Sequence, residues 1–198
     1  MIKIEEVSID GFEQAIRGMR NPKNSWDRID SSSREIGPND LKLMMDLALG
    51  GAVHAKYRRM IIVYLDITAP LYWWKEFDTY KVGTVSNSCS TMHKLTHKEF
   101  ELHDFSHDHL DEDSKCVLQI TIDHLNRCRD SYLKDSNKNH WWQMIQLLPS
   151  SYNQKRTIML NYEVLTSIYH DRRHHKLDEW KAMCDWIKTL PLAKVIIA

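Results

Sequence analysis

The chain has 198 residues with an apolar share of 42%, enough to bury a core and form one domain over residues 1–198, and not the composition of a disordered tail. Lysine plus arginine and aspartate plus glutamate number 27 each, so no overall basic field draws the chain to nucleic acid or an anionic membrane, and any phosphate must be met by local groups. No apolar run reaches the roughly 18 residues of a spanning helix, and MIKIEEVSID lacks the basic and apolar regions of a signal peptide, which implies a cytoplasmic protein without a membrane partner.

The opening IKIEEVSI, residues 2–9, is short and rich in β-branched side chains and reads as a strand, after which Asp10 is expected to cap a helix FEQAIRGM that Pro22 stops. Residues 23–37 carry the turn chemistry of an ordered loop. From Asn39, the apolar Leu41, Met44, Met45, Ala48 and Leu49 fall at helical spacing, with Pro38 ahead of them and Gly50-Gly51 behind. MIIVYLDIT, residues 60–68, alternates as a strand with Ile61, Val63, Leu65 and Ile67 on one face. Pro70 opens a short aromatic helix LYWWKEFDTY, and VGTVSNSCST, residues 82–91, follows as a loop.

Residues 96–114 are acidic and histidine-rich without periodicity, which predicts an exposed, mobile connection. The rest reads as helical: about 115–134, then HWWQMIQLL, then about 154–169, and last LDEWKAMCDWI with an apolar stripe of Leu177, Trp180, Cys184 and Ile187. Helices on a small, mostly antiparallel sheet make this an α/β (α+β) chain.

Phosphate chemistry has one candidate segment. Residues 82–91 offer Gly83 for close backbone approach and the hydroxyls of Thr84, Ser86, Ser88, Ser90 and Thr91 beside the cation Lys81, donors that suit a phosphate. Serine-rich turns also arise for purely structural reasons. In YHDRRHHK, residues 169–176, Arg172 or Arg173 could contact a phosphate or a pyrimidine carbonyl bidentately, or the cations could simply complement the negative end of a helix dipole. His103, His107 and His109 among aspartates match no metal-ligand spacing, so no metal is expected. Cys89, Cys116, Cys128 and Cys184 form no CxxC pair and read as reduced thiols, and the tryptophans read as core or subunit interface.

Taken in order, these pieces resemble the flavin-dependent thymidylate synthases over residues 37–190. His54 in GGAVHAKYRR precedes the strand, and Thr79-Tyr80-Lys81 stands at that family's Arg-His-Arg, with Cys89 or Ser90 at its serine. Leu148-Pro149 matches a Leu-Pro, Asn161-Tyr162-Glu163 an Asn-x-Arg, and Arg172 follows Asn161 by eleven residues, as the family's arginine does.

The resemblance implies a homotetramer with sites at subunit interfaces that methylates dUMP using FAD, with NADPH and methylene-folate as co-substrates. Carried over, Arg172 and Lys81 would be catalytic, and Thr84, Ser86, Ser88, Ser90, Thr91 and Arg173 would hold the nucleotide. His54, Tyr80 and Asn161 would face the flavin. Only Lys81 keeps its charge in the triplet, and Glu163 reverses the charge of the Asn-x-Arg arginine. Two functions are therefore expected: a divergent flavoenzyme transferring a one-carbon unit to C5 of a pyrimidine nucleotide, as a methyl- or hydroxymethyltransferase, or a non-catalytic protein that sequesters a nucleotide signal, as in phage counter-defence. Neither calls for a sequence-specific nucleic-acid partner.

Overall fold

A computed structural model describes residues 1–32 and 35–198; Ser33 and Arg34, in the loop expected over residues 23–37, lie outside the described residues. The elements run β1 (Lys3–Asp10), α1 (Phe12–Arg20), α2 (Pro38–Leu49), β2 (Ile62–Pro70), α3 (Leu71–Phe77), β3 (Val85–Ser88), α4 (Thr91–Lys94), α5 (Glu112–Asp135), α6 (Lys138–Leu147), β4 (Asn153–Asn161), α7 (Tyr162–Arg172), α8 (Asp178–Lys188) and α9 (Ala193–Ile197). The strands form one antiparallel sheet in the order β1-β2-β4-β3, an α+β architecture.

Several expectations are corrected. Helix α1 starts from Gly11 and not from an Asp10 cap, because Gly11 is left-handed at φ 97 and a Cβ there would collide with the Met60 carbonyl oxygen. The segment 82–91 is not all loop, since residues 85–88 form the exposed edge strand β3. The helix expected over residues 154–169 divides into β4 and α7. Gln154, Ile158 and Leu160 turn inward with a period of two, and a place between β2 and β3 gives this stretch ladder partners on both sides. Helical spacing takes over only after Asn161, whose side-chain oxygen accepts from Val164 N–H at 3.1 Å and caps α7.

The chain packs as two compact units, one of Met1–Lys3, Ile67–Thr79 and Asn87–Arg156, the other of Ile4–Asp66, Tyr80–Ser86 and Thr157–Ala198. In the first, α5 packs along α6, and Leu118, Ile122, Leu125 and Met144 enclose Phe100 and Phe105. Residues 96–114 are thus not simply an exposed connection. Asn126 of α5 accepts from Phe100 N–H at 2.8 Å and donates to its carbonyl at 2.9 Å, which fixes the segment by its aromatic residues despite its acidic surface. Trp73 and Phe77 stack at 5.1 Å in the same unit, and Trp74 Nε1 donates to the Gln154 carbonyl at 2.9 Å, so these tryptophans are core.

In the second unit Ile61, Val63 and Leu65 are buried, as the alternation requires, and so are Leu160, Leu165, Ile168, Trp180 and Ile187. Buried Asp40 on α2 accepts from Arg20 and from the backbone N–H groups of Asp30 and Ser31, which ties the loop before α2 to the helix. Among the described residues, no helix is long and apolar enough to cross a membrane.

Candidate functional site

Tyr80 and Arg172, which the resemblance assigns to separate roles, come together. Tyr80 follows α3, and Arg172 closes α7, where a cation complements the negative end of the helix dipole. Arg172 Nε donates to the Tyr80 hydroxyl at 3.0 Å, and that hydroxyl donates to Asp171 Oδ2 at 3.3 Å. The guanidinium carbon also lies 4.8 Å from the centre of the Trp180 ring and 5.6 Å from that of the Tyr80 ring, within cation–π reach of both. Burial raises the Tyr80 pKa above the ordinary phenol range, with Arg172 pulling the other way, so the hydroxyl stays protonated. Arg173 is not part of this group; it reaches His170 Nδ1 at 3.5 Å and sits over Tyr169 at 5.8 Å.

Gly83 is the pivot of the neighbouring segment. Its φ of +80 is left-handed, and a Cβ there would stand 2.9 Å from Asn161 Nδ2 and 3.2 Å from Val164 Cγ2. The chain therefore lies directly on the first turn of α7. Lys81 and Ser86 are exposed, while the Thr84 hydroxyl is shielded from solvent with no hydrogen-bond partner. Ser88, Ser90 and Thr91 belong to the other compact unit, where Ser88 ends β3 and Thr91 begins α4.

Beside Gly83 is a cleft of about 340 Å³, lined by Arg59, Val82, Asn161, Glu163 and Ser167. Glu163 sits in the first turn of α7, where the helix dipole favours a carboxylate. Its Oε2 is shielded and makes no hydrogen bond, and it lies 3.9 Å from Nη1 of Arg58, itself only 3% exposed. The reversed charge at residue 163 is thus balanced within the same chain. Burial pushes the neighbouring Tyr57 phenol up to about 12 although Arg58 favours its ionisation, and Tyr57 donates to the Met44 carbonyl at 2.8 Å.

His54 does not line this cleft. It lines a cavity of about 770 Å³ with Lys23, Arg28 and Asp46. Among the described residues, no three His, Cys, Asp or Glu side chains gather as metal ligands.

Two residues escaped the sequence reading. Trp180 looked like one of several core aromatics, and Arg58 looked like an ordinary basic residue before a strand; neither has a sequence signal of its role. The cleft also does not fit the diphosphate of FAD. Asn161 Oδ1 is spent on the helix cap, and the lining sets one cation, Arg59, beside the carboxylate of Glu163, so the cleft offers no cluster of cations for a diphosphate.

No protein-family model matches the sequence, and no curated protein matches it. Solved structures do. Thymidylate synthase X from Helicobacter pylori with FAD and dUMP superposes at a TM-score of 0.72 with 15% identity, covering 100% of both chains. A second complex of the Helicobacter pylori flavin-dependent enzyme with FAD and dUMP gives 0.69 at 17% identity over 94% of each chain. The UMP/dUMP methylase PolB from Streptomyces cacaoi, bound with 5-Br dUMP, gives 0.65 at 14% identity over 96% of this chain and 89% of that one. At these identities the likeness is one of architecture: this chain has the fold of the flavin-dependent thymidylate synthases.

Proposed function

We propose that this chain binds a pyrimidine nucleotide, acting in the cytoplasm as a single-domain subunit of a homotetramer with sites at subunit interfaces. The observation that carries this reading is the Tyr80–Arg172–Trp180 group. A guanidinium already bonded to a phenol and set close to two aromatic rings is a preorganised partner for a carbonyl edge or a phosphate, and it loses little freedom on binding. Lys81, next to Tyr80 and exposed, supplies a second cation for the phosphate, with Thr84 and Ser86 as hydroxyl donors. Four free cysteines suit a reducing compartment. Exposed Val117 and Ile120 on α5 suit burial against another subunit.

The fold shared with enzymes solved with FAD and dUMP favours one-carbon transfer to C5 of the pyrimidine, with flavin, NADPH and methylene-folate supplying the redox and carbon chemistry. Glu163 favours the other reading, a protein that captures the nucleotide without turning it over, because it removes a cation from the cleft where the family would hold cofactor. A visible absorbance spectrum of freshly purified protein, with mass spectrometry of what heat releases, separates them. Bound FAD selects the enzyme. A colourless protein that releases or takes up dUMP selects capture, and one that binds no nucleotide by calorimetry overturns both.

A further inference from the structure

We infer that the outer edge of β1 is a surface on which a second copy of this chain would pair, and that a bulge at Glu6 holds that surface closed.

Glu6 stands inside β1 at φ 50, a left-handed conformation that strains a residue with a Cβ. The exposure of the strand changes at the same place. Ile4 and Ile9 are both half-buried although they are five residues apart, a separation that puts side chains of a regular strand on opposite faces. Glu6, Val7 and Ser8 are exposed in succession, where alternation would turn every second residue inward. One extra residue at Glu6 accounts for both features, since a bulge sets two residues against one of the neighbouring strand and so shifts the face of all that follow. Without Glu6 the strand would alternate throughout, with Ile4, Val7 and Ile9 on one face and Glu5 and Ser8 on the other.

β1 ends the sheet order β1-β2-β4-β3, so its backbone has a ladder partner on one side only. An eight-residue edge carrying Ile4, Val7 and Ile9 is a template for another strand. The order of residues selects the partner. Laid antiparallel on a second copy and centred on Val7, the regular strand sets Lys3 opposite Asp10, Ile4 opposite Ile9, Glu5 opposite Ser8, and Val7 opposite its counterpart. Opposite charges and matched β-branched side chains are pairs that stabilise an antiparallel ladder. The bulged strand cannot keep this register, because the extra residue bends and twists the edge and stays unpaired itself. The strained residue thus sits where it blocks a self-complementary edge.

Sedimentation velocity over a range of concentrations tests this, with circular dichroism to show that each variant is folded. The parent should keep the mass of its own assembly throughout. Deletion of Glu6 should raise the mass to twice the parent value or beyond as concentration increases, and exchange of the β1 amide hydrogens should slow in the associated form. Glu6→Gln keeps the extra residue and removes the charge, and Glu6→Gly keeps the left-handed geometry; both should retain the parent mass. A folded deletion variant at the parent mass would overturn the proposal. So would a deletion variant that cannot fold, since the bulge would then be a requirement of the fold and not a block. Association of Glu6→Gln would make the charge the block, and association without slower β1 exchange would place the contact elsewhere; either result also refutes it. None of these outcomes bears on nucleotide binding.

Discussion

Arg20 grips Asp40 across twenty residues of chain: Nε and Nη2 both donate to Oδ1, at 2.9 and 2.6 Å, and both side chains are buried. The second oxygen, Oδ2, accepts from Asp30 N–H at 3.0 Å, Ser31 N–H at 3.1 Å and the Ser31 hydroxyl at 2.8 Å. Asp30 in turn accepts from the N–H groups of Asn39 and Asp40 and so serves the start of α2. One carboxylate thus joins α1, the loop and α2. Asp40→Ala leaves the Arg20 guanidinium buried and unpaired and should cost about 3–5 kcal/mol in urea unfolding.

The same group sets an acid dependence. Burial opposes ionisation of Asp40, but the Arg20 and Ser31 bonds and the Asp30 N–H outweigh it, so the folded-state pKa is lowered. A lowered carboxylate contributes stability that is fully present above its unfolded value of about 3.9 and is lost as pH falls through the folded value. Unfolding of Asp40→Asn should depend less steeply on pH below about 4 than the parent does. Parallel pH profiles for the two proteins would refute this.

Tyr80→Phe keeps the ring against Trp180 and removes only the hydroxyl that accepts from Arg172. It should lower stability by about 0.5–1.5 kcal/mol. Arg172→Ala should weaken dUMP binding by about 1–3 kcal/mol, and Arg172→Lys should not restore it, because an ammonium has neither the flat face for Trp180 nor a fork of donors. Calorimetry with dUMP, set beside thermal melting of each variant, reads both effects.

Lys81 is exposed. Lys81→Ala should reduce dUMP affinity by about 1–3 kcal/mol and leave the melting temperature where it was. An equal fall in stability would mark the residue as structural.

Gly83→Ala forces a side chain into a left-handed conformation at φ +80 and against Asn161 and Val164. The backbone alone should cost about 1–2 kcal/mol, measured by urea denaturation. Undiminished stability in this variant would mean that the segment can move off α7.

Much of the fold was legible because burial on one face leaves a pattern. The alternation Ile61, Val63, Leu65, Ile67 predicted β2, and the spacing of Trp180, Cys184 and Ile187 predicted α8. The order of elements around His54, Tyr80, Asn161 and Arg172 was enough to point to the fold of the flavin-dependent thymidylate synthases. Strand β4 was not legible. NQKRTIMLN takes its character from two neighbouring strands, and its polar Gln154 is buried because Nε2 donates to the Cys89 carbonyl at 2.8 Å, a partner distant in sequence.

The site divides along the same line. Sequence alone determined that Lys81 keeps a charge where the resembled family has its Arg-His-Arg and that residue 163 reverses one, since spacing and residue type are properties of the chain. Only the tertiary structure decided that Arg58 balances Glu163 and that Trp180 holds Arg172, while His54 lines a different cavity from Asn161. Which charge lies within 4 Å of which, and which is shielded from water, depends on contacts across more than a hundred residues of chain, and no local pattern records them.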